Sequence, residues 1–315
     1  MNQTSPDAGH AADIPTRCGV VAVLGAPNAG KSTLVNALVG QKVAITSAKA
    51  QTTRARMLGI ALHDLADGAP TQMILVDTPG IFAPRRRLDR AMVSAAWEGA
   101  EAADAVLLLV DPIKQRRHEL EPLLETLAAR PERKILVLNK VDRAKKEPLL
   151  ALAQELTGKV DFAEVFFISA LTGEGVPELK DILARQMPQG DWMYPEDQVS
   201  DASERLLAAE ITREQLYQQL HEELPYDSAV RPEKYEVRPD GSIEIHQQIV
   251  VTRDNQRAIV LGKGGSKIKA IGAAARAELM EVLGVKVHLF LHVKVLENWA
   301  EDKELFEEIG LDWVR

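Results

Sequence analysis

Apolar and polar positions along the 315 residues follow two different rhythms. From Cys18 to about Met187, short apolar runs alternate with amphipathic stretches. The runs are CGVVAVL (18–24), RMLGIALH (56–63), TQMILV (71–76), AVLLLV (105–110), KILVLN (134–139) and EVFFIS (164–169). Short apolar segments bounded by turn formers predict buried strands. Between several of them, Leu88–Ala102, His118–Ala129, Glu147–Leu156 and Val176–Gln186 repeat apolar residues at helical spacing. The alternation predicts an α/β domain over 18–187, an open, mostly parallel sheet with helices on both faces. Ligands of such sheets sit at the carboxyl ends of the strands.

After Met187 the alternation stops. PQGDWMYPEDQVSD, rich in proline and acid, reads as a linker over 188–202. Ser203 then caps a helical run, ERLLAAEITREQLYQQL (204–220), which LPYD ends. Strand candidates at 229–238 and 242–251 join through the turn Pro239–Asp240–Gly241. A short helix from Asn255 to Leu261 leads to GKGG, and a longer helix starts at Ser266. VKVHLFLHVKV (285–295) alternates as a final strand. The order α-β-β-α-α-β predicts a small α+β domain over 203–315, closed by a C-terminal tail helix. Residues 1–17 are polar and nearly uncharged, which predicts a disordered tail and not a signal peptide.

Composition narrows the class. No apolar run approaches the ~20 residues that span a bilayer. The single cysteine, Cys18, excludes an internal disulfide framework, suits a reducing cytoplasm and lies on an apolar strand as a buried small residue. The net charge of −8 argues against nucleic-acid coating of the whole surface. It is unevenly spread, however. Residues 241–295 hold eight Lys or Arg against four Asp or Glu, a basic island of +4 in a chain otherwise at −12. The seven histidines show no metal-ligand spacing.

Candidate chemistry in the first half begins after the first strand, where residues 25–33 read GAPNAGKST. A strand, a glycine-bounded loop and a helix start form a phosphate cradle. Gly25, Ala26, Pro27, Asn28, Ala29 and Gly30 form the loop, whose N–H groups can turn inward to phosphate oxygens. Lys31 can reach the β- and γ-phosphates, Ser32 can offer its hydroxyl to Mg²⁺, and Thr33 continues the helix start. Three more motifs stand at strand ends. Asp77, Thr78, Pro79 and Gly80 follow TQMILV; Asp77 can hold Mg²⁺ through water and the Gly80 N–H can face a γ-phosphate. Asn139, Lys140, Val141 and Asp142 follow KILVL. Asp142 can accept from the N1–H and exocyclic amine of guanine, Asn139 can bond the base edge, and the Lys140 stem can cover the base face. Ser169, Ala170 and Leu171 follow EVFFI, and a backbone N–H there can bond the guanine carbonyl. Adenine would leave the Asp142 acceptors unsatisfied, so the combination predicts GTP.

In QTTR (51–54) a threonine can join Mg²⁺ when a γ-phosphate is present and let go after hydrolysis. Thr53 is the first choice and Thr52 the reserve, since spacing does not separate adjacent hydroxyls. Ile81 follows DTPG, where other GTPases place a water-orienting glutamine. No catalytic group is therefore assigned, with Lys31 and Thr53 assisting, and turnover is expected to be slow unless a cation or partner stimulates it.

In the second half, a Gly-x-x-Gly loop between two helices within α-β-β-α-α-β is the arrangement of a type II KH domain, which clamps about four nucleotides of single-stranded RNA. Gly262, Gly264 and Gly265 allow close approach to a sugar-phosphate chain, and Lys263, Lys267 and Lys269 supply charge. Trp299 and Phe306 are expected to anchor the tail helix, with stacking on an RNA base as the alternative.

With these residues assembled, the chain resembles the bacterial Era GTPases over nearly its whole length after residue 17. The resemblance rests on GAPNAGKST, KAQTTR, DTPG, NKVD, SAL, AAEITREQLYQQLHEELPY, GKGGSKIKAIG and ENWAEDKELFEEIG. It implies a P-loop GTPase domain followed by a KH domain. It further implies GTP hydrolysis coupled to assembly of the small ribosomal subunit, the KH domain binding the 3′ end of its RNA. The implied location is the cytoplasm with peripheral association at the inner membrane, and a monomer is expected. Asn28 resembles the asparagine with which related GTPases bind K⁺. Ala26 and Ala29 depart from bulkier residues usual there. A rival reading is an RNA-binding assembly factor for which GTP is a structural ligand; turnover with and without RNA separates the two. A GTPase assisting base modification finds no cysteine motif or cofactor loop to support it.

Overall fold

The computed structural model describes residues 15–47, 52–54, 56–82, 84, 87–101, 103–114, 117–220 and 224–309. Most of the expected N-terminal tail, Gln51 of QTTR and the last six residues lie outside them. The first half is a six-stranded sheet in the order β2-β3-β1-β4-β5-β6. Its strands are β1 (Arg17–Leu24), β2 (Met57–Asp64), β3 (Pro70–Asp77), β4 (Ala105–Val110), β5 (Arg133–Leu138) and β6 (Glu164–Phe167). All neighbours pair in parallel except β2, which runs antiparallel to β3 at the edge.

Alternate residues of each strand point to opposite faces, and each face has its own helical cover. Val21, Val23, Leu75 and Leu107 pack with Leu34 and Leu38 of α1 (Lys31–Val39) and with Leu179 and Leu183 of α5 (Val176–Gln186). Ala22, Leu24, Val106 and Leu108 pack on the other side. Their cover comes from α2 (Arg87–Glu101), α3 (Arg117–Ala128) and α4 (Lys146–Thr157). Burial on both faces is why the parallel strands read as continuous apolar runs. The register aligns their carboxyl ends: Val23 lies opposite Asp77, Leu24 opposite Leu108, Val110 opposite Leu138, and Leu138 opposite Phe167. The loops that follow these strands therefore open along one rim.

The proline-rich stretch after α5 does not hang free. Cys18 N donates to Pro188 O, the Gln72 carboxamide bonds Met193 N, Tyr194 N and Tyr194 O, and Ile60 N donates to Val199 O. It straps β1, β3 and β2 together, with Trp192 and Tyr194 against Leu58, Ile74 and Val76. The buried Cys18 donates its Sγ–H to the same Gln72.

The second half starts with α6 (Glu204–Gln219), capped by Ser203 Oγ accepting from Leu206 N at 3.2 Å. A three-stranded sheet follows in the order β7-β8-β9, from β7 (Ser228–Val237), β8 (Ile243–Val251) and β9 (Val287–Val295). Strands β7 and β8 are antiparallel, whereas β8 and β9 are parallel. The parallel pair needs a crossover, supplied by α7 (Asp254–Leu261) and α8 (Ser266–Leu283). Together these elements are the KH domain expected from the element order.

Trp299 and Phe306, the latter on α9 (Lys303–Glu308), are among the largest fully buried side chains. They meet Leu88 and Met92 of α2, so the tail welds the second half onto the first. Trp299 Nε1 also donates to Asp227 O at 3.1 Å. Trp299→Ala is expected to lower stability by about 3–5 kcal/mol, checked by thermal or urea unfolding. A loss below ~1 kcal/mol would show that the tail is an ornament.

Candidate functional site

The rim at the strand ends gathers the motifs that the sequence keeps far apart. The loop after β1 ends at Gly30, whose φ of 102° lies in the left-handed region. A Cβ there would come within 2.3 Å of Asn139 Nδ2, so only glycine fits. No side chain caps α1, which leaves the amides of its first turn available to an anion. Lys31 is buried and donates through Nζ to Gly25 O and Ala26 O, both at 3.1 Å. Burial pulls its ammonium down to about 8, against the opposing charge of Asp77. A phosphate in the cradle would reverse that pull. A cavity lined by Pro27, Asn28, Ser32, Thr33, Thr53 and Gly80 opens above the loop. Ala26 and Ala29 are buried under it.

The candidate metal ligands converge. Ser32 Oγ donates to Asp77 Oδ2 at 2.7 Å, and it lies 2.8 Å from Thr53 Oγ1. Thr53 Oγ1 donates to the same Asp77 oxygen at 3.2 Å. The second carboxylate oxygen, Asp77 Oδ1, is buried without a partner. Burial raises the Asp77 carboxyl to about 6, with Lys31, Ser32 and Thr53 pulling it back and Glu210 pushing it further. Two hydroxyls and a carboxylate with an orphaned oxygen suit a hard divalent cation such as Mg²⁺. Of the two adjacent threonines, Thr53 reaches this cluster, while Thr52 contributes its carbonyl to Arg213. Next to the cluster, Thr78 Oγ1 donates to Val23 O, and Ile81 N donates to Gly25 O at 3.1 Å. The Ile81 side chain packs into the core face beside α2, α3 and α4. Pro79 and Gly80 turn between these anchors, and a Cβ on Gly80 would strike Pro27 N at 2.7 Å.

At the opposite end of the rim, Asn139 ties two loops. Its Nδ2 donates to Ala29 O at 2.8 Å and its Oδ1 accepts from Ala170 N at 2.9 Å. One amide hydrogen is left for a base edge, and a base drawing on the Ala170 N–H would have to displace the Asn139 oxygen. Lys140, at a φ of 64°, donates to Asn28 O at 2.6 Å and to Asp111 Oδ2 at 2.7 Å. Val141 N donates to Ile168 O, and Asp142 is exposed beside it. Ser169 is buried with its Oγ accepting from Thr172 N, whereas Leu171 is exposed.

Three contributors escaped the sequence reading. Asp111 at the end of β4 accepts from Ile113 N, Lys114 N and Lys140, and those bonds hold its carboxyl below the usual range against burial. Its place at a strand end was the available signal. Asn36 on α1 accepts from Val43 N and Ala44 N at 2.9 Å and donates to Ala44 O at 2.8 Å, fixing the chain that leaves α1. Arg54 is the third; no periodicity marks it, because its partners lie more than 160 residues away.

On the second half, GKGG forms a tight turn between α7 and α8. Gly262 has φ 69° and ψ 175°, and a Cβ there would meet Lys267 Cβ at 2.7 Å. Lys263 and Gly264 are exposed, Gly265 N-caps α8, and Lys269 is exposed one turn on. Lys267 is half-buried, and its Nζ donates to Gln219 O at 3.4 Å, at the end of α6. Beside the loop lie the exposed Ile259 and the half-buried Ile268, Leu291 and Val293, an apolar floor bounded by the edge strand β9. Among the described residues no cluster of His, Cys, Asp and Glu is set to hold a metal, and no helix is long and apolar enough to cross a membrane.

Comparison with known proteins matches both halves. Residues 20–140 match the family of 50S ribosome-binding GTPases, and residues 223–300 match the KH domain family. GTPase Era of Erythrobacter litoralis is 83% identical over 300 residues, covering 95% of this chain and 98% of the relative. GTPase Era of Bradyrhizobium diazoefficiens is 55% identical over 98% of each chain. A crystal structure of Era with MgGDPNP and nucleotides 1506–1542 of 16S ribosomal RNA superposes with a TM-score of 0.87. It shares 36% identity and covers 94% of this chain and 99% of the other. An Aquifex aeolicus Era variant bound to GDP·AlF4⁻ gives a TM-score of 0.84, with the same identity and coverage.

Proposed function

The chain belongs to the Era family of GTPases, and on that premise we infer a GTP-hydrolysing switch that carries its own RNA clamp. Its GTPase domain spans 18–187, its strap 188–202 and its KH domain 203–315. The observation that carries the reading is the convergence of Ser32, Thr53 and Asp77 on one point, at the mouth of a loop followed by a helix start that no side chain caps. Ser32, Thr53 and Asp77 would hold Mg²⁺, which neutralises charge between the β- and γ-phosphates when bound. The remaining nucleotide contacts run from Gly25 through Thr33, from Asp77 through Ile81, from Asn139 through Asp142 and from Ser169 through Leu171.

The ligands of the solved relative support the RNA side of the reading. That protein holds nucleotides 1506–1542 of 16S ribosomal RNA together with MgGDPNP. In this chain Gly262, Lys263, Gly264, Gly265 and Lys269 would clamp the corresponding strand and so serve maturation of the small ribosomal subunit. Lys267 would act more by fixing the loop to α6. Asn28, exposed at the cradle, would take K⁺ as a stimulating cation. The protein would act as a cytoplasmic monomer, with contact at the inner membrane only peripheral.

Turnover is the test. With Ile81 packed in the core face and no glutamine in its place, the chain alone should hydrolyse GTP on the order of 10⁻³ s⁻¹ or slower. K⁺ and the 3′ RNA should each raise kcat in single-turnover assays. Fast hydrolysis without either would overturn the reading of Ile81, and RNA that leaves kcat unmoved would favour GTP as a structural ligand.

A further inference from the structure

The segment that carries Thr53 is gripped from the KH half. Thr53 is 8% exposed, and the residues on either side of it are both held by groups of the second half. On one side the Thr52 carbonyl accepts from Arg213 Nη2 of α6. On the other, Arg54 is 3% exposed and sends its guanidinium wholly into the second half. Its Nη1 donates to Ser228 O at 2.7 Å. Its Nη2 donates to Tyr226 O at 3.0 Å, Pro225 O at 3.2 Å and the Tyr217 hydroxyl at 3.3 Å. The Trp299 ring lies 5.7 Å from the same guanidinium.

Such a grip is a poor way to glue two domains. Arg213 is 2% exposed and, among the described residues, has one carboxylate partner, Glu210, while Arg54 has three backbone carbonyls, a phenol and no carboxylate. Arg213 Nη1 and Arg54 Nε are buried without a partner. Well-packed apolar side chains would join the halves at least as tightly, because taking a guanidinium out of water is expensive. What the arginines add is direction: donors in a rigid fork fix a backbone carbonyl and a side-chain path to within a hydrogen bond. The same turn of α6 holds the start of the segment too. Glu214 accepts from Thr46 N and Thr46 Oγ1 at 3.3 Å and pairs with Lys42, which also pairs with Glu278 of α8. Residues 213, 214 and 217 thus meet the segment at Thr52, Thr46 and Arg54, and α8 carries the GKGG loop at its start.

We propose that Arg213 and Arg54 are positioning residues of the GTP site: through them, helix α6 and the loop 225–228 of the KH domain hold Thr53 where it meets Ser32 and Asp77. The inference rests on Thr53 being the γ-phosphate-dependent ligand. The metal and γ-phosphate site is then completed by the RNA-binding half, and movement of α6 against the first half releases Thr53. GDP, which does not require Thr53, is indifferent to the grip.

The test uses the full chain and fluorescent GDP and GTPγS, titrated with Mg²⁺ varied. Arg213→Met and Arg54→Met keep the apolar stem while removing the fork. Each is expected to lower GTPγS affinity about tenfold or more and to raise the Mg²⁺ needed for that binding, with GDP affinity kept within about threefold. Thr53→Ala should show the same split, and the Thr53→Ala/Arg213→Met double variant should lose no more than Thr53→Ala alone, as coupled groups do. If a Met variant does not fold, Arg213→Lys, which keeps the charge near Glu210, should still show the split at about threefold or more. Equal losses for GDP and GTPγS, or additive losses in the double variant, would reduce the arginines to interface packing. A selective loss in Thr53→Ala with none in the arginine variants would sink the proposal while sparing the assignment of Thr53. No selective loss in Thr53→Ala would remove both.

Discussion

Asp142→Asn is expected to lower GTP affinity by about two to four orders of magnitude while improving the relative binding of a xanthine nucleotide. Asp142 lies exposed at the rim, beside the loop that Asn139 and Lys140 pin to the phosphate cradle. A carboxylate there can accept from the guanine N1–H and exocyclic amine at once. Each hydrogen bond to a charged acceptor is worth about 1.5–3 kcal/mol; losing one, weakening the other by removing the charge and setting two donors against each other together account for ~10²–10⁴ in affinity. An asparagine turns one acceptor into a donor, which clashes with the exocyclic amine but matches the carbonyl that xanthine presents in its place. Because Asp142 is exposed and on a short turn, the substitution should leave the unfolding midpoint nearly unchanged. Competition titrations with GTP, ATP and XTP give the answer. Guanine preference that survives the change would remove NKVD from the base site.

The rim was legible before any coordinates because strand ends and chemistry coincide in the sequence. Asp77, Asn139 and Ser169 each follow an apolar run, and parallel pairing carries all such ends to one edge. Asp111 obeys the same rule after AVLLLV, but no neighbouring motif residue marks it. Helix limits were readable for the same local reason: α5 begins and ends at Val176 and Gln186 as its periodicity predicts. What composition hid is long-range hydrogen bonding. Proline and acid mark 188–202 as a break, yet they do not announce that a single buried glutamine, Gln72, would stitch it to β3. Arg54 closes QTTR with no local pattern to mark its partners, and only the fold brings Pro225, Tyr226 and Ser228 to it. Lys267 reads as an RNA contact, and the sequence does not show that its Nζ also reaches Gln219 O at the end of α6. The local pattern does not show contacts whose partners lie tens to hundreds of residues away along the chain.

Lys263→Asp/Gly264→Asp should cost at least about a hundredfold in affinity for single-stranded RNA and leave GTP affinity where it was. The pair exchanges one positive charge for two negative ones at the tip of the turn, where a phosphate chain must come close. It is a clean lesion because the fold has little at stake there. Lys263 and Gly264 are exposed, and a Cβ on Gly264 would meet nothing within 4 Å. Gly264 sits at φ 60° and ψ 25°, a conformation that aspartate tolerates better than most residues with a side chain. The strain should stay near ~1 kcal/mol, which unfolding curves would report. The GTP cradle is built from other strands and shares no residue with this turn, so fluorescent GTP titration should match the unaltered chain. Filter binding at two salt concentrations separates the alternatives. Unimpaired RNA binding would move the clamp elsewhere on the KH half, whereas loss of RNA and GTP binding together, with normal unfolding, would mean that the two sites are energetically one. The second outcome would carry the grip of α6 on Thr53 all the way to the RNA loop, since α6 meets α8 through Lys42, Glu214 and Glu278, and α8 begins at that loop.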